Sequence, residues 1–321
     1  MTQSLAPNSL GLGNVALGDR WNMLILREAF AGAGRFQDWL ARLPVSDPVL
    51  SSRLKDLTAL GILAKEQYSV SPPRYEYRLT AQGRDMWQVF VAVWMWDSRW
   101  IEHQIPVYAP GVRLRHESCG YTITPLLGCD TCDARGVTPH DITTIRHPDY
   151  VYDQSNPPRR YRRTRLPSET QEGVLHSSID LLGDRWSTSV LSAAFLGARR
   201  FGDFQRDIGR IPPLLLTQRL NTFVEQGVLR RQPLAEGGRR HEYRLNPKGL
   251  DFFGIFANSI AWSRAAFQDE QGPPLILKHR PCGQDYVPRY VCNVCNEVLE
   301  RRELSFVSRS SETADTEPLD V

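Results

Sequence analysis

The sequence lacks a long apolar run, and this absence argues against a membrane-spanning helix. No apolar stretch approaches the roughly 20 residues that a helix needs to cross a bilayer. The N-terminus also lacks a basic segment followed by an apolar one, so no secretory signal is predicted. We therefore expect a cytoplasmic protein with no membrane partner.

A strong charge imbalance and a catalytic constellation are also missing. The net charge of +3 is too small to indicate nucleic-acid binding by itself. No nucleophile–base arrangement is evident, and the Gly-x-Gly at 11–13 lacks the preceding strand of a dinucleotide site, so we expect no enzyme activity. The arginines are clustered, however, with five of them in the seven residues 159–165. Such clusters can follow a phosphate backbone or can simply be solvated.

Cysteine is scarce, and all six cysteines fall into two short patterns with the same spacing. The first pattern is His116-x2-Cys119-Gly120, then Cys129-x2-Cys132, and the second is His279-x2-Cys282-Gly283, then Cys292-x2-Cys295. Nine residues separate the inner cysteines in both patterns. In a reducing compartment such spacing indicates metal or redox chemistry more than disulfides.

Each pattern is predicted to form a zinc-ribbon-like module, because two short turns that each offer two ligands suit tetrahedral Zn²⁺. His116, Cys119, Cys129 and Cys132 would hold one ion. His279, Cys282, Cys292 and Cys295 would hold the other. Four ligands close the shell, so the predicted cofactor is structural zinc, two ions per chain, which would supply the folding energy of modules too small for their own core. Three alternatives remain: a thiol redox switch, incidental histidines, or inert cysteines.

The chain is organised around a stretch that occurs twice. Leu-Gly-Asp-Arg-Trp stands at 17–21 and again at 182–186, and eight of the fourteen positions from Leu17 to Phe30 match their counterparts from Leu182 to Phe195. The match continues through Glu-Tyr-Arg-Leu at 76–79 and 242–245. Solenoid units recur every 20 to 50 residues, so this long offset indicates a duplicated domain.

Each copy has the pattern of a winged helix-turn-helix. In the first, helices are predicted at about 9–17, after Asp19 as N-cap, at about 35–43, and after Asp47 as N-cap with Pro48 in the first turn. Two strands with a proline-containing loop follow, and then a long closing helix that Thr80 caps. Its tryptophans are expected to pack rather than to bind a ligand.

The exposed front of the fourth helix and the tip of the hairpin are the candidate DNA contacts. In the first copy these are Val49, Ser51, Ser52, Arg53, Lys55 and the wing residue Arg74. In the second copy they are Leu214, Leu215, Thr217, Gln218, Arg219 and the wing residues Arg239 and Arg240. Short polar and basic side chains at the front of a helix suit a major groove, and leucines can contact thymine methyls or belong to the core. The two copies are therefore not expected to read the same base sequence.

Several motifs in their order resemble the HxlR family of bacterial transcriptional regulators. They are Leu17 to Trp21, Arg35-Phe36-Gln37-Asp38, Leu50 to Leu57, Gly61-Ile62-Leu63 and Pro72 to Gly83. The resemblance implies winged helix-turn-helix domains that bind operator DNA, usually as homodimers paired through terminal helices. Some members sense oxidants or aldehydes through a cysteine, but no cysteine here lies in the winged-helix segments. The family as such does not carry the cysteine modules.

The predicted fold class is mainly α with small β-hairpins (α+β). The predicted domains are winged helices at 9–105 and 173–270, zinc-ribbon-like modules at 112–136 and 276–303, a basic linker at 137–172 and a disordered tail at 304–321. As a flexible coil, the linker would span on the order of 35 Å, close to the ~34–36 Å between half-sites of helix-turn-helix dimers.

The predicted function is that of a nucleoid-associated, sequence-specific regulator that binds double-stranded DNA as an intramolecular pseudo-dimer. A homodimer paired copy by copy is the runner-up assembly. A thiol-responsive regulator and a winged-helix module that docks proteins are the alternative functions. A small-molecule or redox effector is left open.

Overall fold

The computed structural model describes residues 8–101, 112–146, 178–183, 185–209, 211–234, 240–269 and 272–307. The predictions for Arg239, for linker residues 147–172 and for tail residues 308–321 fall outside these ranges. Within them, no helix is both long and apolar enough to cross a membrane.

The first winged helix and the strands after it have the following elements in chain order. They are helices α1 (Ser9–Leu17), α2 (Arg20–Phe30), α3 (Phe36–Arg42) and α4 (Asp47–Ala59), strands β1 (Leu63–Ser69) and β2 (Arg74–Leu79), helices α5 (Ala81–Arg84) and α6 (Trp87–Trp100), and strands β3 (Arg113–His116), β4 (Thr122–Ile123), β5 (Leu126–Cys129) and β6 (Ile142–Arg146).

The second copy repeats this order. Its elements are helices α7 (Ser178–Leu182), α8 (Arg185–Phe195), α9 (Phe201–Ile208) and α10 (Pro213–Glu225), strands β7 (Leu229–Pro233) and β8 (His241–Leu245), helices α11 (Pro247–Leu250) and α12 (Phe253–Ala266), and strands β9 (Leu275–His279), β10 (Pro288–Val291) and β11 (Leu304–Val307). The mixed α+β class and the tandem winged helices are as predicted.

Local capping explains most helix boundaries, with two corrections. Asp19 accepts a hydrogen bond from the N–H of Asn22 and begins α2, as predicted. Helix α4 instead begins one residue earlier than predicted, with Ser46 at the N-cap and Asp47 already helical. Thr80 caps the short helix α5 through the N–H of Gly83, and the closing helix α6 begins separately at Trp87.

The two copies pack directly on each other along their first and last helices. Helix α1 of the first copy lies on α12 of the second, and α7 of the second lies on α2 and α6 of the first. Small residues allow the close approach: a Cβ at Gly13 would lie 1.9 Å from the Oγ of Ser263, and one at Gly183 would lie 2.5 Å from the Cβ of Arg20. We call this contact the seam.

Two tryptophans make matching hydrogen bonds across the seam. Trp96 on α6 donates its indole N–H to the carbonyl of Lys248 at 2.9 Å. Its counterpart Trp262 on α12 donates to the carbonyl of Gln82, also at 2.9 Å. Both indoles are buried, so they pack as predicted and each also satisfies its polar atom on the other copy. The largest core cluster accordingly contains side chains from both copies.

The strands outside the winged helices pair across the two halves of the chain. Strand β5 pairs with β10, β6 pairs with β9, and β11 pairs with β3, all antiparallel. Parts of the segments predicted as linker and tail are strands instead, because β6 occupies residues 142–146 and β11 occupies residues 304–307. Edge pairing with the other half gives these short strands partners that a sequence read locally does not reveal.

Candidate DNA-binding surfaces and metal centres

Helix α4 presents a mixed outer face in the first copy. Leu50, Leu54 and Leu57 are fully buried and fix the orientation of the helix. That orientation leaves Ser51 and Lys55 exposed and Val49 and Ser52 half-buried. These four side chains lie where the sequence predicts groove contacts, and their contact with DNA stays a prediction.

Arg53 is the exception, and its assignment as a DNA contact is wrong. Only 2% of the residue is exposed. Its Nε and Nη2 donate to the two carboxylate oxygens of Asp19 at 2.9 and 2.8 Å, and its Nη1 lies 3.8 Å from Asp56. Because a bidentate pair occupies the planar guanidinium, Arg53 connects α4 to the start of α2 instead of facing a groove. The repeated Asp and Arg of the two motifs were a signal for this pairing.

Helix α10 presents a different outer face. Leu214 is 72% exposed, which excludes the core assignment that the sequence left open for it. Thr217 and Gln218 are exposed, although the Thr217 hydroxyl donates to the carbonyl of Pro213 one turn back. Leu215 is half-buried. Arg219 stands where Arg53 stands in the first copy and is half-buried, so its role as a base contact stays a prediction.

The hairpins form the expected wings. Arg74 is exposed at the start of β2, and Arg240 is exposed just before β8. On the first wing, the Lys65 ammonium lies 4.1 Å from the centroid of the Tyr75 ring. The Arg35 guanidinium, at the start of α3, lies 4.7 Å from the centroid of the Tyr68 ring, so cationic groups that were not predicted as DNA contacts lie on and beside the first wing.

All eight predicted metal ligands come together, but in different groups from those predicted. One group, centre A, contains His116, Cys119, Cys292 and Cys295. The other, centre B, contains Cys129, Cys132, His279 and Cys282. Within each group the potential ligand atoms lie within 4.8 Å of one another. Each centre thus takes its His-x2-Cys turn from one half of the chain and its Cys-x2-Cys turn from the other.

The strand pairing explains why the grouping within each module is wrong. Strand β3 leads into the first His-x2-Cys turn, whereas β5 leads into the first Cys-x2-Cys turn and pairs with β10 of the other half. The β5–β10 ladder therefore carries the two Cys-x2-Cys turns to opposite centres. Spacing alone could not show this crossing, because the two modules have identical spacing and exchange of their halves preserves every turn.

The potential ligand atoms of each centre lie close enough together to share one ion. In centre A, the Nδ1 of His116 lies 3.3 Å from the Sγ of Cys119 and 3.4 Å from that of Cys295, and the Sγ atoms of Cys119 and Cys292 lie 3.9 Å apart. In centre B, the Nδ1 of His279 lies 3.3 Å from the Sγ of Cys132 and 3.2 Å from that of Cys282. A tetrahedron with Zn–S of about 2.3 Å places its sulfurs about 3.8 Å apart.

The four turns share one backbone feature that suits metal binding. The residue directly after the second ligand has positive φ in each turn: 78° at Gly120, 58° at Asp133, 70° at Gly283 and 64° at Asn296. Glycine, asparagine and aspartate are the residues that adopt this left-handed conformation most readily. The two glycines belong to the repeated sequence pattern, and Asp133 and Asn296 complete it at the Cys-x2-Cys turns.

Backbone N–H groups favour thiolates at the first cysteine of the Cys-x2-Cys turns. Burial opposes ionisation of Cys292, but hydrogen bonds from the N–H groups of Cys295 and Val294 outweigh it and lower the pKa of Cys292 to about 7. At Cys295 a backbone hydrogen bond at Glu297 favours the thiolate, but burial and the neighbouring Cys292 outweigh it and raise the pKa to about 11. A cation between the sulfurs would relieve this repulsion between neighbouring thiolates.

The histidines are structural parts of the centres, which argues against their being incidental. His116 is fully buried and His279 is 1% exposed. The Nδ1 of His116 faces the cysteine sulfurs, and its Nε2 lies 3.7 Å from the carboxylate of Glu303, beyond hydrogen-bond distance. The six cysteines are all free thiols in the structure. Three thiolates and one imidazole form a closed donor set of the type that structural zinc prefers.

Comparisons with known proteins agree with the winged-helix architecture. The model of the HxlR-like helix-turn-helix family matches residues 16–105 and 181–271. The chain is 37% identical over 128 residues to the uncharacterized HTH-type transcriptional regulator Rv3095 of Mycobacterium tuberculosis, with 40% of this chain and 80% of that protein covered. It is 35% identical over 113 residues to the uncharacterized HTH-type transcriptional regulator sll1512 of Synechocystis, covering 32% and 84%. The chain in the crystal structure of PA1607 is 34% identical in sequence to this chain. The match covers 41% of this chain and 90% of the PA1607 chain, with a TM-score of 0.36.

Proposed function

Because this chain belongs to the HxlR-like helix-turn-helix family, whose relatives are transcriptional regulators, we propose that one chain binds a two-part operator as an intramolecular pseudo-dimer. Helices α4 and α10 would enter successive major grooves of the same duplex. The wing arginines Arg74, Arg239 and Arg240 would contact phosphates or the minor groove. Two structural zinc ions would hold the assembly together. The relatives reported above are named as transcriptional regulators and not as enzymes, so the proposed activity is DNA binding alone.

The reciprocal tryptophan contacts carry the proposal of a pseudo-dimer. Trp96 reaches the carbonyl of Lys248, and Trp262 reaches the carbonyl of Gln82, at positions that correspond in the two copies. A two-fold contact of this kind uses the same surface on both partners, as in a C₂ homodimer. Because the second copy of the same chain already covers that surface, the surface is not available to a second chain.

Differences between the outer faces of α4 and α10 support an asymmetric operator. Of the predicted contacts, Ser51 and Lys55 are exposed on α4, whereas Leu214, Thr217 and Gln218 are exposed on α10. Gln pairs best with adenine and an aliphatic side chain with the thymine methyl, so α10 is expected to favour A·T pairs. The half-site under α4 would depend more on phosphate contact through Lys55.

The crossed centres support zinc in a structural role. Each proposed ion would be held by turns about 150 residues or more apart in sequence, from Cys129 to His279 and from His116 to Cys292. Loss of either ion would release a contact between the two halves as well as a local fold. We infer that the metals fix the relative positions of the two recognition helices.

Selection of bound duplexes from a random DNA pool tests the proposal, with the mass of the complex measured in parallel. One chain on an asymmetric two-part site is the expected result. Two chains on a symmetric site would replace the pseudo-dimer with a copy-by-copy homodimer. No enrichment from the zinc-loaded protein would favour protein docking, which the exposed Leu214 side chain would then serve.

A matched pair of variants assigns the half-sites. Gln218→Ala should change base preference in one half of the selected site only. Glu225→Gln, an exposed polar change at the C-terminal end of the same helix and outside the predicted contacts, serves as the control. Equal loss of preference in both halves would contradict the assignment of α10 to a single half-site.

A further inference from the structure

The Cys-x2-Cys turn of centre B is held by side chains that are not metal ligands. Asp130 and Asp133 lie beside the candidate ligands Cys129 and Cys132, and Arg289 on β10 contacts both carboxylates. The Nη2 of Arg289 donates to Asp133 at 2.6 Å, and its Nη1 donates to Asp130 at 3.4 Å. Only 15% of the Arg289 side chain is exposed. We call Asp130, Asp133 and Arg289 the clamp, which joins this turn to the other half of the chain.

Two further contacts attach the same turn to the second half. The hydroxyl of Thr131 donates to the carbonyl of Asp285 at 3.1 Å, and the N–H of Asp130 donates to the carbonyl of Val287 at 2.9 Å. Both acceptors follow closely after Cys282, which is a candidate ligand of the same centre. Because none of these contacts uses a ligand atom, part of the order that centre B needs is supplied without the ion.

The corresponding positions around centre A cannot form the same contacts. The pairing of β5 with β10 relates the two sets of positions, and the counterparts of the clamp and of Thr131 are Leu126, Asn293, Asn296 and Val294. These four residues carry neither a charge nor a hydroxyl. The Oδ1 of Asn293 accepts a hydrogen bond from the N–H of Thr124 at 3.1 Å, but no ion pair is possible among the four. The turn of centre A is therefore less firmly attached to the opposite half.

The clamp acts on metal affinity through order. Single ion pairs at a surface contribute little to stability. Here, however, one largely buried guanidinium contacts two carboxylates of the same turn and so restricts its conformations. Binding costs less when the binding groups are already ordered, and outer-shell partners that orient metal ligands typically contribute about 10- to 100-fold in affinity. Removal of the clamp should therefore weaken metal binding at centre B.

The exposure of the ligands predicts the opposite order of affinities. Cys132 of centre B is exposed, whereas its counterpart Cys295 of centre A is half-buried. Exposure admits water to one ligand and speeds both release and return of the ion. The ordering of a turn, in contrast, changes the equilibrium between bound and free ion. The equilibrium constants of the two centres therefore distinguish the two effects.

We propose that the clamp makes centre B the tighter zinc site, so that centre A alone gains and loses its ion as the free zinc concentration changes. This inference rests on the two zinc ions of the proposed function. With centre A empty, centre B and the β5–β10 ladder still join the two halves. The turns of centre A, including His116 beside Leu304 of β11, are then the part of the protein whose order follows the zinc supply.

The test counts zinc ions per chain by native mass spectrometry in buffers of decreasing free zinc, with the full-length protein and without DNA. The wild type is expected to release its ions in two steps, with dissociation constants at least about tenfold apart. Cys119→Ala with Cys295→Ala keeps only centre B and should show the tighter constant. Cys132→Ala with Cys282→Ala keeps only centre A and should show the weaker one.

A second variant changes the surroundings of centre B and keeps every ligand. Asp130→Asn, Asp133→Asn and Arg289→Leu together give centre B the residues that centre A already uses, so the two release steps should merge at the weaker constant. The control is Glu242→Gln with Arg244→Leu, which removes an ion pair on β8 of the second wing and should change neither constant.

A reciprocal variant keeps the test decisive if the triple variant fails to fold. Leu126→Arg with Asn293→Asp and Asn296→Asp builds the clamp at centre A and should tighten that centre about tenfold. Equal constants in the wild type, or a tighter constant for centre A, would overturn the inference in favour of ligand exposure. Preserved two-step release in the folded triple variant would also overturn it. A wild type without bound zinc would contradict the metal part of the proposed function as well, whereas two ions released in one step would contradict this inference alone.

Discussion

The two winged-helix copies agree in their buried contacts and differ on their outer faces. Trp96 and Trp262 make the same hydrogen bond across the seam, and both copies keep an arginine in the middle of the recognition helix, Arg53 and Arg219. Their outer faces differ at corresponding exposed positions, since Lys55 on α4 corresponds to Asn221 on α10, and Leu214 on α10 corresponds to Pro48 on α4. The contacts between the two copies have thus been kept after duplication, whereas the surfaces that would contact DNA have diverged in sequence.

The largest expected effect concerns the metal centres, each of which combines one turn from the first half of the chain with one turn from the second half. Cys119→Ala with Cys295→Ala removes two ligands from centre A alone, so about one zinc per chain should remain. Cys119→Ala with Cys129→Ala removes one ligand from each centre and should weaken both. Zinc content by mass spectrometry after dialysis against a chelator distinguishes the pairs. Because structural zinc contributes about 10 kcal/mol or more in zinc-finger peptides, complete zinc loss should unfold both centres.

The opposite pattern of zinc content in the two double variants would show that each ion is held within one module, as the sequence predicted. In that case Cys119→Ala with Cys129→Ala would keep one tightly held zinc, and Cys119→Ala with Cys295→Ala would lose both. Ser118→Ala provides the control and should keep two zinc ions. Ser118 is exposed and lies inside the same turn, but it offers no ligand in either centre.

The next effect concerns the arginine that both recognition helices contain. Arg53→Met should lower the free energy of unfolding by about 3 kcal/mol, because it leaves the Asp19 carboxylate beside a buried face without its partner. Arg219→Met should cost less, since Arg219 is only half-buried. Denaturant unfolding measures both. Lys55→Met, an exposed change on α4, should stay within about 0.5 kcal/mol. If the Arg53→Met protein is fully stable yet binds no DNA, Arg53 contacts DNA and its assignment as a buried structural residue is wrong.

A smaller effect separates the two outer faces. Gln218→Ala should reduce discrimination at one base pair by about 1–2 kcal/mol. Lys55→Ala should weaken binding to all sequences alike and reduce the slope of log affinity against log salt by about one. Binding titrations at several salt concentrations with matched and mismatched operators measure both quantities. A sequence-dependent loss in Lys55→Ala would show that α4 also reads bases.

The smallest effect tests the symmetric part of the comparison. Trp96→Phe and Trp262→Phe each remove one hydrogen bond across the seam, so each should lower stability by about 1 kcal/mol. For a chain of this size the thermal midpoint should fall by a few degrees. Trp21→Phe, outside these two contacts, is the reference substitution. Markedly unequal losses would mean that one copy dominates the seam.

Local sequence signals were sufficient for the elements and the ligands. The apolar spacing predicts α4 with Leu50, Leu54 and Leu57 inward, and Asp19 is recognisable as a helix cap. All eight candidate metal ligands are recognisable from spacing, because a His-x2-Cys or Cys-x2-Cys turn forms from adjacent residues. These features depend on chemistry within a few residues, which a single sequence contains.

Long-range pairing was not accessible in the same way. Arg53 was predicted to be exposed because its polarity suits a surface, whereas its partner Asp19 lies 34 residues earlier in the chain. The exchange of Cys-x2-Cys turns depends on β5 pairing with β10, and either pairing uses the same residues at the same spacing.

The crossed centres also set an order in which the protein can be completed during its synthesis. Cys129 and Cys132 emerge from the ribosome well before His279 and Cys282, and His116 and Cys119 wait for Cys292 and Cys295. Neither centre can close until translation has passed Cys282 for centre B and Cys295 for centre A. A nascent chain that stops between Cys132 and His279 would therefore expose one His-x2-Cys turn and one Cys-x2-Cys turn without their complements, and capture of a metal would report that the second cysteine pattern has been made.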